Sequence, residues 1–229
     1  MVKEQLPLCF SWRDGISLDN YFAADNAGLV HALRLAATGE GEQFLYLWGG
    51  AATGKSHLLQ AACQQAAEQR QSVAYLPLDE LVTLSSEIFD GLEQLSLVCI
   101  DDLQVIAGKA DWEEALFHLY NRMRDAGSTL LVAADVSPAA LALGLADLRS
   151  RLSWGPVFHI QELDDADKIA ALQLRATGRG FDLPDEVAQF LIRRSPRDMS
   201  SLFALLDRLD LASLAQQRKL TIPFVRNLV

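Results

Sequence analysis

The sequence predicts an α/β fold with a five-stranded parallel sheet, followed by a small α-helical domain. Short β-rich runs alternate with longer stretches whose apolar residues recur every three or four positions. The third run, Leu97-Val98-Cys99-Ile100, is apolar without alternation, as in a parallel strand with helices on both faces. After about Glu162 the strand signals stop and only amphipathic segments remain.

The strands are predicted at Phe44 to Trp48, Val73 to Leu76, Leu97 to Ile100, Thr129 to Ala133 and Val157 to Ile160, all five of them buried. Helical periodicity fills the intervening segments, as in His57 to Glu68 and Trp112 to Arg124, where Trp112, Phe117 and Tyr120 form a core-facing stripe. The terminal domain takes its helices from Asp164 to Thr177, Pro184 to Arg194 and Asp198 to Leu214. Asp164 is placed to cap the first, whose opening turn holds Asp165 and Asp167, and Gly178 and Gly180 release it. Pro184 suits the first position of the next. The expected division is a peptide over 1–12, an α/β domain over 13–162 and a helical domain over 163–229.

With 50% hydrophobic and 22% charged residues in 229, the chain has the composition of a globular protein with a sizeable core. No apolar run approaches a membrane span and no basic-then-apolar segment opens the chain, so a cytoplasmic location is expected. Cys9, Cys63 and Cys99 lack disulfide or zinc spacing, and His31, His57, His118 and His159 share no ligand spacing. The net charge of -10, with no basic block, disfavours direct grip on duplex DNA. Arg193, Arg194 and Arg197 lie among Asp182, Asp185, Glu186 and Asp198 and read as a mixed, solvated surface.

The strongest motif is Gly49-Gly50-Ala51-Ala52-Thr53-Gly54-Lys55-Ser56, which fits GxxxxGK[ST] between a predicted strand and a predicted helix. Backbone N–H groups of such a loop wrap phosphate oxygens, aided by the positive end of the helix. Lys55 is expected on the β- and γ-phosphates and Ser56 on Mg2+. Asp101 and Asp102 end the apolar third strand at the edge where open parallel sheets bind ligands. Asp101 would hold Mg2+ through water, and Asp102 would orient or deprotonate an attacking water. Arg149 and Arg151 follow the fourth strand, and from spacing alone a surface ion pair is the favoured reading over a transition-state role. Near the start, Gln5-Leu6-Pro7-Leu8-Cys9-Phe10 has the form of an extended docking peptide, with a disordered terminus or a strand on its own domain as alternatives.

Together these residues resemble the AAA+ ATPases and, within them, the DnaA/Hda subfamily. The likeness spans nearly the whole chain. Leu18-Asp19-Asn20-Tyr21-Phe22 with Asn26 resembles the segment that encloses adenine, and Ser150-Arg151-Leu152-Ser153-Trp154-Gly155 resembles the arginine-finger motif, which reverses the weighting of Arg151. Ala171-Leu172-Gln173-Leu174-Arg175-Ala176 and Arg218-Lys219-Leu220-Thr221-Ile222-Pro223-Phe224 are similar to the Hda branch, and initiators of the DnaA branch carry flanking domains for which this chain has no room. The resemblance implies a five-stranded AAA+ core with a helical lid, and ADP or ATP with Mg2+ held by Tyr21, Phe22, Asn26, Gly49 to Ser56 and His57.

It also implies that Gln5, Leu6, Leu8 and Phe10 dock on the DNA-loaded sliding clamp, giving nucleoid association and only indirect contact with DNA. Arg151 would act in trans on ATP bound to DnaA, and self-association would use AAA+ interfaces. Two departures bear on the chain's own hydrolysis. Ser200 stands where the lid's sensor arginine is expected, with Arg197 one helical turn earlier, and Ala133 and Ala134 leave Asp135 as the nearest polar group at the first sensor. Both imply weak self-hydrolysis and a stable ADP-bound state. The rival readings are an autonomous ATPase and a passive clamp-binding adaptor.

Overall fold

The structure is a computed structural model that describes residues 16–216 and 218–226. Its sheet has five parallel strands, β1 (Phe44–Trp48), β2 (Val73–Pro77), β3 (Leu97–Asp101), β4 (Thr129–Ala134) and β5 (Val157–His159), in the order β2-β3-β4-β1-β5. Helices α1 (Ala27–Thr38) and α2 (Lys55–Glu68) cover one face. Helix α4 (Ala110–Ala126) and the short α5 (Ala146–Leu152) cover the other, and one-turn α3 (Leu78–Leu81) follows β2.

Successive strand residues serve opposite cores. Tyr46, Val98, Ile100 and Val132 pack toward α4, while Leu45, Leu47, Cys99 and Leu131 pack toward α1 and α2. Both sets are apolar because both faces are covered, which is why these strands lack alternation. Each fully buried Leu contributes about 1.5–3 kcal/mol, several times a surface ion pair, so this double core fixes the sheet. The stripe on α4 is confirmed at Trp112 and Tyr120, both buried, with Phe117 partly buried beside them.

One expectation is corrected. The fifth strand is not buried: β5 lies at the sheet edge with Val157 and His159 exposed, because among the described residues β1 is its one strand neighbour. Its apolar surface is partly closed by the His159 ring stacked on Trp48 at 3.9 Å.

The lid comprises α6 (Asp165–Gly178), α7 (Asp185–Arg194), α8 (Met199–Gln216) and α9 (Ile222–Arg226) around their own core of Leu172, Val187, Leu191, Leu202, Leu206 and Val225. Asp164 caps α6 as its sequence position predicts, accepting from Asp167 N–H at 2.8 Å. Pro184 sits one place earlier than predicted, in extended backbone at the N-cap of α7. The segment Gln5 to Phe10 lies outside the described residues. Cys63 and Cys99 are buried free thiols, and among the described residues no helix is long and apolar enough to cross a membrane.

Candidate nucleotide-binding site

The predicted phosphate loop runs from the end of β1 into the start of α2. Its entry is pinned by Gly49 N–H donating to the Ala134 carbonyl at 3.3 Å, and Thr53 Oγ1 donates to the Gly50 carbonyl at 2.9 Å. Gly54 turns the chain into the helix with φ of 96°, and a Cβ there would stand 2.8 Å from the Tyr21 ring. Only glycine meets both conditions. Since Gly54 has no side chain to cap α2, the first-turn N–H groups face the loop, the arrangement that receives an anion.

Lys55 is the centre of charge in this loop. It is 7% exposed, and its Nζ donates to the Gly49 and Gly50 carbonyls, both at 2.9 Å, and pairs with Asp135 at 3.0 Å. Asp135 follows β4, so the polar group nearest the expected first-sensor position is tied to Lys55. A phosphate held by Lys55 shares it with this carboxylate.

Tyr21 and His57 come together beside the loop, their ring centroids 5.8 Å apart. The Tyr21 hydroxyl donates to the Thr53 carbonyl at 3.3 Å, and burial pushes its pKa up to about 12. His57 Nε2 lies 3.2 Å from the Ser17 carbonyl, which can only accept, so Nε2 carries the proton. Burial lowers the His57 pKa, the Ser17 carbonyl opposes that, and the Arg175 charge lowers it further, giving a neutral imidazole at neutral pH. Phe22, which follows Tyr21 in the chain, is half-buried. The Asn26 side chain bonds to backbone: Nδ2 donates to the Gln161 carbonyl at 3.2 Å and Oδ1 accepts from Gln161 N–H at 2.8 Å. Its role here is to anchor the segment before α1 to the exit of β5.

The two carboxylates ending β3 differ in kind. Asp101 is 1% exposed and accepts from the Tyr75 hydroxyl at 2.7 Å and from Asp102 N–H at 3.0 Å. Burial, the Asp101 charge and this bond raise the Tyr75 pKa, while hydrogen bonds with Gln60 and Ser56 pull the other way. Tyr75 thus links the two residues expected around Mg2+. A Ser56 hydroxyl and an Asp101 carboxylate fit a hard cation whose other ligands are phosphate and water oxygens. Among the described residues no cluster of three His, Cys, Asp or Glu side chains is placed to hold a metal alone. Asp102 has φ of 56°, and its Oδ1 accepts from Gln104 Nε2 at 2.9 Å while Gln104 Oε1 accepts from Asp135 N–H at 3.1 Å. Burial raises the Asp102 pKa, opposed by the Gln104 bond and reinforced by the charges of Asp101, Asp79 and Asp135. Tyr75 and Gln104 carry no motif, and sequence reasoning missed both.

In the lid, Ser200 is exposed in the first turn of α8, and Arg197 pairs with Asp165 at 3.6 Å. A different lid arginine, Arg175, stacks over Phe203 at 4.5 Å and pairs with Asp207 at 3.6 Å. Its charge reaches His57 beside the loop, a placement sequence reasoning did not foresee.

Arg149 and Arg151 lie on α5 and diverge. Arg149 Nη2 donates to the Leu143 carbonyl, a local structural bond. The Arg151 guanidinium lies 4.2 Å from the Trp154 ring centroid, and its Nη1 is buried without a hydrogen-bond partner among the described residues. The Arg151 and Arg124 charges lower a Tyr120 pKa that burial raises, and Tyr120 packs edge-on against Phe44 at 5.1 Å. Phe44 begins β1 and the phosphate loop follows its end, so Arg151 lies at the opposite end of the strand from its own loop, roughly 13 Å of strand away.

Glu113, 1% exposed on α4, sets the entry to α5. Its carboxylate accepts from Gly108 N–H at 2.7 Å, Gly144 N–H at 3.2 Å and Leu145 N–H at 2.7 Å. Glu113→Ala would orphan three donors and is expected to cost about 3 kcal/mol in urea unfolding, against under 0.5 for exposed Glu114→Ala. Equal midpoints would remove Glu113 as the staple.

A family model described as the bacterial DnaA ATPase domain matches residues 17–159, and one described as the Hda lid domain matches 165–229. Among solved structures, domain III of the replication initiation protein DnaA from Thermotoga maritima is 22% identical with a TM-score of 0.80, the match covering 96% of this chain and 98% of that one. AMPPCP-bound DnaA from Aquifex aeolicus is 20% identical with a TM-score of 0.77, covering 88% of this chain and 66% of that one. The Thermotoga maritima RuvB Holliday junction branch migration motor is 18% identical with a TM-score of 0.70, covering 93% and 70%. These identities show a shared fold.

Proposed function

The chain belongs to the bacterial DnaA ATPase family within the AAA+ proteins and carries an Hda-type lid, and from that premise we propose that it is a regulator that ends DnaA activity by completing DnaA's hydrolytic site in trans. The observation that carries this reading is the position of Arg151, held at the far end of β1 from the chain's own phosphate loop. A guanidinium there cannot reach its own γ-phosphate and is presented to a neighbouring molecule. Stabilising charge on a neighbour's transferring phosphoryl group is what such an arginine does best.

The chain's own nucleotide then serves as a structural ligand. Gly49 to Ser56 hold ADP with Mg2+ at Ser56 and Asp101, and Tyr21, Phe22 and His57 flank the base. Lys55 shared with Asp135, a lid sensor position occupied by Ser200 and an Arg197 paired with Asp165 all support a nucleotide bound without rapid turnover. Recruitment to replicating DNA comes from Gln5, Leu6, Leu8 and Phe10 docking on the sliding clamp, which lets a chain of net charge -10 work near DNA without gripping it.

The test is reconstitution. Adding the ADP-loaded chain and DNA-loaded clamp to ATP-bound DnaA is expected to accelerate phosphate release, and no acceleration overturns the proposal. Phosphate release by the chain alone at the same rate would favour an autonomous ATPase. Replacing Gln5 and Leu8 together by Ala is expected to weaken clamp association at least tenfold in surface plasmon resonance while leaving ADP affinity unchanged. Unaltered clamp binding rejects the docking peptide, and acceleration surviving without clamp binding rejects the adaptor role.

A further inference from the structure

Trp154 stands out as a large aromatic residue that the core does not use: it is 64% exposed. The backbone beneath it is nevertheless tightly fixed. Trp154 N–H donates to the Arg151 carbonyl at 3.1 Å, Ser153 Oγ donates to the Arg149 carbonyl at 3.0 Å, and Tyr46 N–H donates to the Pro156 carbonyl at 3.0 Å. Gly155 passes so close to β1 that a Cβ on it would stand 2.5 Å from the Phe44 carbonyl oxygen. This turn folds the indole back over the residue three places earlier, and the guanidinium of Arg151 lies over the ring face at 4.2 Å. Trp154 and Gly155 also line a cleft of about 380 Å³ together with Phe44, Tyr120, Arg124 and Leu130.

We propose that Trp154 is the positioning residue of the arginine finger, its ring face holding the Arg151 guanidinium in the orientation that meets the neighbouring nucleotide. The inference rests on the trans-acting role of Arg151. A flexible arginine pays rotamer entropy each time it is fixed, and a cation over an indole face fixes the plane without using up its hydrogen-bond donors. Among the described residues Arg151 makes no ion pair and its buried Nη1 has no hydrogen-bond partner, so the guanidinium held on the indole keeps its charge unneutralised. A carboxylate partner would also have held the arginine, but it would have neutralised the charge that hydrolysis requires.

The test is a graded series read as two separate quantities: the maximal rate of stimulated DnaA ATP hydrolysis, and the concentration of this chain giving half that rate. Trp154→Leu is expected to lower the maximal rate about tenfold and Trp154→Phe about threefold, following the order of ring strength, with half-saturation moved less than twofold. An unchanged maximal rate in Trp154→Leu overturns the proposal. So does an equal loss in the Leu and Phe variants, which indicates apolar bulk. A shift confined to half-saturation overturns it as well, since that marks a contact with the partner. Should Trp154→Leu fail to fold, Trp154→Tyr and Trp154→Phe decide, with Tyr expected to retain more and the reverse order overturning the proposal. Arg151→Ala in the same assay separates the layers. Loss there with wild-type behaviour in Trp154→Leu removes the positioning role alone, whereas no loss in Arg151→Ala removes the trans-acting reading and this inference with it.

Discussion

Arg151→Ala is expected to lower clamp-dependent hydrolysis of DnaA-bound ATP by about 10³-fold or more, with clamp association and ADP affinity unchanged. The magnitude follows from a guanidinium that meets charge only as it develops on the transferring phosphoryl group, so its loss appears in rate and not in binding. Stability should hold, because Arg151 makes no ion pair among the described residues and its stacking partner is exposed. Arg149→Ala is the internal control: it loses the bond to the Leu143 carbonyl, so its effect should register in unfolding before it registers in the stimulated rate. Single-turnover measurement on preloaded DnaA reads the effect directly, and Arg151→Lys should recover only part of it because an ammonium lacks the planar fork. A stimulated rate within twofold of wild type would end the arginine-finger reading.

Lys55→Ala is expected to weaken ADP binding on the order of 100-fold, the loss of a charge-assisted contact to phosphate from a buried ammonium. The same change frees the Gly49 and Gly50 carbonyls and leaves the half-exposed Asp135 facing the loop unpaired, so repulsion adds to lost attraction. Calorimetric titration with ADP and Mg2+ measures the affinity, and thermal unfolding gives an independent check. Saturating ADP at about 100 times the dissociation constant stabilises a single-site protein by about 2.7 kcal/mol, and the variant should show almost none of that at the same concentration. If ADP raises the melting temperature of both proteins equally, the phosphate site lies elsewhere.

The parts of this site that were legible in the sequence are those fixed by local geometry. Gly49 to Ser56 can be read because a strand, a tight turn and a helix start must be consecutive, and Asp101 because its carboxylate ends an apolar strand, the edge at which open parallel sheets bind ligands. The role proposed for Arg151 enters only through resemblance, since its spacing alone suited an ion pair. Tyr75, Gln104 and Glu113 were illegible because each acts across the fold, on Asp101, on Asp102 with Asp135, and on the entry to α5. The bonds between the Asn26 amide and Gln161 were likewise illegible, because tertiary folding brings Gln161 to it. The fifth strand was read as buried because Val157 and Ile160 look apolar, yet position in the sheet decides exposure, and sheet order is a long-range property.

The strand order also governs when the protein can first become competent during synthesis. β1, which leads into the phosphate loop, pairs only with β4 and β5, and β4 leaves the ribosome about eighty residues later. At about 5–20 residues per second, an apolar strand with both edges unsatisfied waits several seconds for its first neighbour. Nucleotide therefore cannot template the nascent chain at its own loop, and chaperone protection should matter most between the emergence of residue 48 and residue 134. Shortening that interval by circular permutation between β1 and β2 would place β1 after β5 and bring the loop's supporting strand out when its partners already exist.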